Sequence, residues 1–125
     1  MNQLLRFASI AVVCLALGGC YESFSPIQAG SFTRWQSGKS VGAPQQLTTE
    51  QIAKLSDWLQ NHKWGWHPVT GTFLPVTLLS LSHVDGTSSS ANLMNKTLIV
   101  GKYQRSLSEA ESQILQSIVG AQNGN

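Results

Sequence analysis

Three histidines, an aspartate and a run of serines are the side chains of this sequence whose types could support metal binding or hydrolysis. The histidines are His62, His67 and His83, and Asp85 follows the last of them by two positions. A zinc site needs three or four such ligands converging on one point. This spacing matches no familiar zinc motif, because His67 lies beyond the expected end of the helix that carries His62. We therefore expect no metal and no other cofactor.

A hydrolase would use His83 and Asp85 together with one of the serines at positions 88–90. The Asp85-Gly86 pair, however, is typical of a type I′ hairpin turn, which needs positive φ angles. The serines suit the exposed start of the strand that follows this turn. No SxxK motif occurs in the chain. We therefore expect that the protein is not an enzyme.

The segment HKWGWHP, residues 62–68, is the stretch that most resembles a binding site. Trp64, Trp66 and His67 could form an aromatic platform or a protein hot spot, because tryptophan offers a large rigid area and a polar N–H. The same stretch has the features of a helix end, with Gly65 at the position of a capping glycine. An apolar residue just after such a glycine commonly packs back on the helix, as Trp66 would. Both interpretations stay open and could hold for different tryptophans.

The first twenty residues, MNQLLRFASIAVVCLALGGC, have the composition of an export signal. Arg6 is their one charged residue, and an apolar stretch runs from Phe7 to Leu17. A membrane-spanning helix needs about 20 apolar residues, whereas a secretory signal has an apolar core of about 7–15 residues. The length of this stretch therefore favours a signal peptide over a membrane span.

The signal ends on Leu17, Gly18, Gly19 and Cys20, which resembles the lipobox of bacterial lipoproteins. The resemblance covers these N-terminal residues alone. It implies that the Cys20 thiol receives a diacylglycerol, that the chain is cut before Cys20, and that the new amino group is also acylated. Two or more acyl chains hold a protein firmly in a membrane.

The resemblance also implies a location. In lipoproteins of enteric bacteria, an aspartate directly after the cysteine favours retention in the inner membrane, and Tyr21 occupies that position here. If the source is Gram-negative, we therefore expect a lipid anchor in the outer membrane, with the domain on its periplasmic face.

Cysteine and charge counts exclude further function classes. Cys14 lies inside the predicted signal and Cys20 is predicted to be acylated, so we expect no thiol nucleophile and no cysteine metal site in the mature chain. Loss of Arg6 with the signal leaves seven lysines and arginines against six acidic residues. A near-neutral chain without basic runs lacks the charge pattern of a nucleic-acid binder.

The composition along the chain predicts four parts. They are a signal peptide at 1–19, an acylated cysteine with a flexible tether at 20–30, a single α+β domain at 31–120 and a frayed tail at 121–125. The tether is predicted because YESFSPIQAG is polar and small and contains a proline. The remaining length of roughly 90 residues is common for one domain.

Capping patterns predict two helices in the domain. The first helix, within LTTEQIAKLSDWLQNHKW, starts with a capping box formed by Thr48 and Gln51 and continues with apolar residues at helical spacing. The second helix starts at one of two competing capping boxes, at Ser106 or Ser108. Gly120 is its predicted C-terminal cap.

Strand patterns predict a meander between the helices, formed by Leu74–His83, Ser89–Met94 and Thr97–Tyr103. Phe32–Gln36 is predicted to add a strand before the first helix. The predicted fold is therefore α+β, a small antiparallel sheet of three to four strands with two helices packed on one face, in the order β-α-β-β-β-α.

Two non-enzymatic functions fit these observations. The first is a structural or accessory lipoprotein that presents a small module to another protein of the cell envelope. The alternative is an inhibitor or immunity lipoprotein against a cell-wall-degrading enzyme, which would insert a rigid loop such as residues 83–89 or 64–67 into the enzyme's cleft.

Overall fold

A computed structural model describes residues 20–120 of the chain. The predicted signal at 1–19 and the predicted tail at 121–125 lie outside the described residues. The described part contains seven strands and two helices. Their order is β1 (Ile27–Gln36), β2 (Lys39–Gln46), α1 (Thr49–Gln60), β3 (Trp66–Pro68), β4 (Thr77–His83), β5 (Ser88–Leu93), β6 (Thr97–Val100), β7 (Tyr103–Ser106) and α2 (Glu109–Val119).

The strands form one antiparallel sheet in the order β2-β1-β4-β5-β6-β7-β3. The predicted small sheet of three to four strands and the order β-α-β-β-β-α are therefore wrong. The sheet is larger because the pattern of the sequence missed two strands and merged two others.

Strand β2 was missed because its sequence, KSVGAPQQ, has no apolar alternation, and all of its residues are exposed. It pairs with β1 through a two-residue turn at Ser37 and Gly38, whose φ angles are 53° and 78°. Positive φ at both central residues is the geometry of a type I′ turn, whose twist matches that of the strands. Strand β3 was missed because three residues are too few to show alternation.

The predicted strand Thr97–Tyr103 is two strands, β6 and β7, because the chain turns at Gly101. Gly101 has a φ of 59°, and Val100 pairs directly with Tyr103 across the turn. The predicted hairpin at Asp85-Gly86 is present. Gly86 has a φ of 87° and Asp85 does not have a positive φ, so the turn is not type I′.

Both helices begin where the capping patterns indicated. Thr48 accepts a hydrogen bond from the Gln51 amide, and the Gln51 side chain accepts one from the Thr48 amide. The box at Ser108 prevails over the one at Ser106, and Gly120 closes α2 with a φ of 69°. Helix α1 ends at Gln60, earlier than its sequence suggested.

The core lies between the helices and one face of the sheet. Burial alternates along β4, where Thr77, Leu79, Leu81 and His83 point inward. Inward side chains of β4, β5 and β6 meet apolar residues of both helices, which include Leu55, Leu59, Leu115 and Val119. Among residues 20–120, neither helix combines the length and the apolar character needed to cross a bilayer.

Candidate functional site

The segment from Cys20 to Pro26 starts beside β3 and continues to the β4–β5 hairpin, where the Pro26 carbonyl accepts from the Val84 amide at 2.9 Å. Cys20 and Trp66 exchange two backbone hydrogen bonds: the Cys20 amide donates to the Trp66 carbonyl at 2.7 Å, and the Trp66 amide donates to the Cys20 carbonyl at 3.2 Å. Two residues on, the Glu22 amide donates to the Lys63 carbonyl at 2.7 Å. The start of the described chain therefore covers an edge of the sheet that would otherwise expose its peptide groups.

The rest of this segment is bonded to the domain almost residue by residue. Phe24 packs edge-on against Trp66 with ring centroids 4.9 Å apart, and its carbonyl accepts a hydrogen bond from the Gln60 side chain at 2.6 Å. The Ile27 amide donates to the Ser56 hydroxyl at 3.0 Å. The sequence assigned residues 20–30 to a flexible tether, but in the structure residues 27–30 belong to β1 and residues 20–26 pack on the domain.

The two tryptophans of HKWGWHP have opposite environments. Trp66 is 0% exposed, and its indole N–H donates to the His62 carbonyl at the end of α1 at 2.7 Å. Trp66 is therefore part of the core. The interpretation of Trp66 as a contact residue is wrong, because a side chain with no accessible surface touches no partner. Trp64 is 47% exposed and lies edge-on to Tyr21, with ring centroids 5.1 Å apart.

Tyr21 and Trp64 form an exposed aromatic pair next in sequence to Cys20, and we call these three residues the anchor edge. The Arg105 side chain and the backbone conformation of Gly65 hold its geometry. Arg105 of β7 donates from Nε to the Trp64 carbonyl at 3.0 Å. Gly65 has a φ of 91°, and a Cβ placed there would lie 3.5 Å from the same Arg105 Nε. A side chain would fit beside the arginine at that distance, so it is the positive φ of the turn after Trp64 that favours glycine here.

Arg105 is itself fixed by an acidic partner on α2. Its Nη1 donates to Glu111 Oε2 at 3.0 Å, and the two side chains are mostly buried. Burial alone would raise the pKa of Glu111, but the hydrogen bond from Arg105, the bond from the Ser108 amide and the Arg105 charge outweigh burial and lower the pKa below its ordinary value of 4.5. The anchor edge is thus connected to α2 through a charged hydrogen bond.

Glu22 supplies a second connection, to β7. The negative charge of Glu22 and its hydrogen bond with the Tyr103 hydroxyl raise the pKa of Tyr103 above its ordinary value. Tyr103 therefore keeps its proton, and its hydroxyl donates a hydrogen bond to the Glu22 carboxylate. This contact joins Glu22, two residues after Cys20, to β7.

His67 lies exposed in β3, opposite Gln104 of β7. The structure does not bring it together with the other histidines: His62 stacks on Trp58 with ring centroids 3.9 Å apart, and His83 is buried at the far end of β4. Residues 20–120 contain no group of three or more histidine, cysteine, aspartate or glutamate side chains that could hold a metal ion.

The residues considered for a hydrolytic triad form only part of one. His83 Nδ1 lies 2.6 Å from the Ser25 carbonyl, which can only accept, so Nδ1 carries the proton and Nε2 accepts from the Ser89 hydroxyl at 2.7 Å. Asp85 is not the third member, because the Ser25 carbonyl already accepts from His83 Nδ1, and Thr87 donates to Asp85 Oδ1 from its amide at 3.0 Å and its hydroxyl at 2.6 Å. His83 holds the Ser25 segment against β5, which is a structural task.

A second surface, which the sequence analysis did not recognise, lies in the link between β3 and β4. We call residues 73–76 the clamped segment. Phe73, Leu74 and Val76 are exposed there, and Leu74 is 77% exposed. Buried Asn92 of β5 holds their backbone, because its Oδ1 accepts from the Val76 amide at 3.0 Å and its Nδ2 donates to the Leu74 carbonyl at 3.1 Å. The predicted strand Leu74–His83 begins too early, because β4 starts at Thr77 and residues 74–76 form this exposed link. The partner that holds the link, Asn92, is distant in sequence.

Comparison with known proteins finds no match to this chain among family models, curated proteins or solved structures.

Proposed function

We propose that this chain is a lipid-anchored protein of the bacterial envelope that holds a rigid α+β module at the membrane surface and acts as a structural or accessory interaction module. The lipobox Leu17-Gly18-Gly19-Cys20 supports the anchor. The observation that carries the proposal is the attachment of Cys20 to the folded domain through its backbone bonds with Trp66. A module fastened at its anchoring residue suits a protein whose task is to present a surface at a fixed height.

The expected processing is compatible with this geometry. N-acylation converts the new amino group of Cys20 into an amide that retains one N–H. The donor of the 2.7 Å bond to the Trp66 carbonyl is therefore kept. The lipid-modified residue remains part of the edge of the sheet.

The clamped segment is the best surface for a protein partner. Its apolar side chains are exposed in a region whose backbone Asn92 already fixes. A surface that is ordered before binding avoids much of the entropy cost of ordering a loop. Leu74 and Phe73 would supply apolar contacts to another envelope protein, as anchor residues do in protein interfaces.

The anchor is tested with the two cysteines of the chain. In cells grown with a palmitate analogue, the wild-type protein and the Cys14→Ser variant carry label and fractionate with membranes. The Cys20→Ser variant carries no label and loses stable membrane attachment. Label that persists on the Cys20→Ser protein contradicts the proposal. Separation of inner from outer membranes by density then tests the expected outer-membrane location.

The interaction surface is tested by recovery of bound envelope proteins from detergent-solubilised membranes. The Leu74→Ser variant should keep its fold and lose a partner that the wild-type protein recovers. Val84→Ser is the matched control, because Val84 is also an exposed aliphatic residue but lies on a different loop. Equal recovery by both variants and the wild type would rule out the clamped segment as the contact.

The inhibitor alternative has one observation in its favour. The hairpin tip between β4 and β5 presents Val84, which is 57% exposed, on a turn that Asp85 and Thr87 make rigid. In an assay of cell-wall hydrolysis by a muramidase, this alternative expects inhibition that Val84→Ser abolishes and Leu74→Ser leaves intact. Absence of inhibition by the wild-type protein argues against it.

A further inference from the structure

We infer that the anchor edge (Cys20, Tyr21 and Trp64) lies in the headgroup region of a phospholipid bilayer and fixes the orientation of the domain against the membrane. The inference rests on the proposed acylation of Cys20 and names the surface that meets the lipid. The occupant of this surface is the bilayer that holds the acyl chains.

No flexible spacer separates Cys20 from the folded domain. A flexible linker of n residues separates its ends by about 5–6 Å × √n, so a tether of about ten residues would let the domain turn freely above the membrane. Here the backbone of Cys20 is bonded to Trp66 and that of Glu22 to Lys63, so no freely moving residue separates the acylated cysteine from the domain. The residues next to Cys20 are then held close to the membrane surface into which its acyl chains insert.

The side chains of Tyr21 and Trp64 have the chemistry of residues found at membrane–water interfaces. Tyr21 follows Cys20 in sequence and is 46% exposed, and Trp64 lies against Tyr21. Tyrosine and tryptophan are enriched at membrane–water interfaces, because an apolar ring enters the acyl boundary while the hydroxyl or indole N–H stays among the headgroups. Two half-exposed aromatic rings beside an acylated residue have the composition of an interfacial anchor.

The Tyr21–Trp64 pair is held in place by the domain before it meets lipid. Arg105 holds the Trp64 carbonyl, and the backbone hydrogen bond from the Glu22 amide to the Lys63 carbonyl holds the residue after Tyr21. Insertion of the two rings into the bilayer therefore costs little conformational entropy. A rigid pair at the anchoring point restricts how the domain can tilt, which a lipid on a flexible tether would not do.

The experiment measures the depth of Trp64 in lipid. The full-length protein is processed in cells, purified with its lipid and reconstituted in phosphatidylethanolamine–phosphatidylglycerol vesicles with or without bromine on the acyl chains near the headgroups. Brominated lipid should quench part of the tryptophan fluorescence of the wild type. Quenching by brominated lipid should be absent in the Trp64→Phe variant. It should be present in the control variant Trp35→Phe, which removes a less exposed tryptophan.

A rescue variant keeps the test independent of one substitution. Tyr21→Trp in the Trp64→Phe background places an indole at the other position of the pair and should restore the loss of fluorescence. Equal quenching of the wild type and Trp64→Phe, with no gain from Tyr21→Trp, overturns the inference.

Flotation of the same vesicles separates failure of the inference from failure of the proposed function. Protein that floats with the vesicles but shows no Trp64-dependent quenching is anchored in another orientation, which overturns the inference alone. Protein that carries no lipid and does not float overturns the proposed anchor, and the inference falls with it.

Discussion

The two edges of the sheet are protected in different ways. At one edge, β2 has eight exposed residues, pairs with β1 alone and includes Gly42 and Pro44. At the other edge, β3 has three residues and is covered by the chain around Cys20. Exposed strand edges invite pairing with other chains, and proline, short strands and covering segments all reduce that risk.

The two edges also differ in how much they contribute to the hydrophobic core. Trp66 of β3 is buried and connects helix α1, Phe24 and the Cys20 segment, whereas no side chain of β2 is buried. The β3 edge is therefore part of the cooperative fold, and β2 is an exposed addition to it. Four predictions test this comparison, from the largest expected effect to the smallest.

Replacement of Trp66 by alanine should lower the free energy of unfolding by about 3–5 kcal/mol, because it removes a fully buried aromatic ring and leaves a cavity. Chemical denaturation of the purified protein measures the effect. Trp64→Ala is the matched control and should change stability by about 0.5 kcal/mol or less. Equal denaturation midpoints for the two variants would show that the β3 edge does not belong to the core.

Replacement of Phe24 by alanine should cost about 2 kcal/mol, which is less than for a fully buried phenylalanine because Phe24 is half-buried against Trp66. The loss should also raise the amide exchange rates of residues 20–27, measured by hydrogen exchange. Phe73→Ala in the clamped segment is the control and should leave those rates unchanged. Fast exchange of residues 20–27 in the wild type would contradict the packing of this segment.

The third prediction concerns pH. The folded protein lowers the pKa of Glu111, so the carboxylate stabilises the fold above its unfolded pKa of about 4.5, and this contribution is lost as the pH falls through the lower folded pKa. Glu111→Gln should therefore cost about 1 kcal/mol at pH 7 and much less at pH 3. Thermal unfolding of both proteins across pH 3–7 measures the difference, and parallel curves would contradict it.

Replacement of Val41 by serine in β2 should change the free energy of unfolding by about 0.5 kcal/mol or less, because Val41 is already exposed. The same denaturation experiment applies. A loss near 2 kcal/mol would mean that β2 contributes to the core, and the contrast between the two edges would fail.

Local hydrogen-bonding chemistry could be read from the sequence. The boxes Thr48-Gln51 and Ser108-Glu111 join residues three apart, so the pattern needs no knowledge of the fold. The left-handed cap at Gly120 is local for the same reason. The choice between the capping boxes at Ser106 and Ser108 depends on strand pairing, because Ser106 pairs with Thr97 at the end of β7.

Other elements could not be predicted in this way. Strand β2 carries no apolar alternation because neither of its faces is buried, and its one local signal was the Ser37-Gly38 turn. Residues 20–26 looked like a linker by composition, yet their backbone groups bond to distant partners such as Lys63 and Gln60. Composition reports how much apolar area a segment offers, and it does not report which peptide groups the rest of the chain can satisfy.

The sequence by itself determined the start of α1 and the end of α2, the lipobox pattern that predicts a lipid anchor, and the near-neutral charge of the chain beyond its predicted signal. Only the tertiary structure decided which of two tryptophans two positions apart is buried. Trp64 and Trp66 are the same residue type with nearly the same neighbours in sequence, and they differ because the Cys20 segment and helix α1 enclose Trp66, while Arg105 holds the backbone of Trp64 at the surface. Burial depends on contacts between residues distant in sequence, and such contacts exist only once the chain has folded.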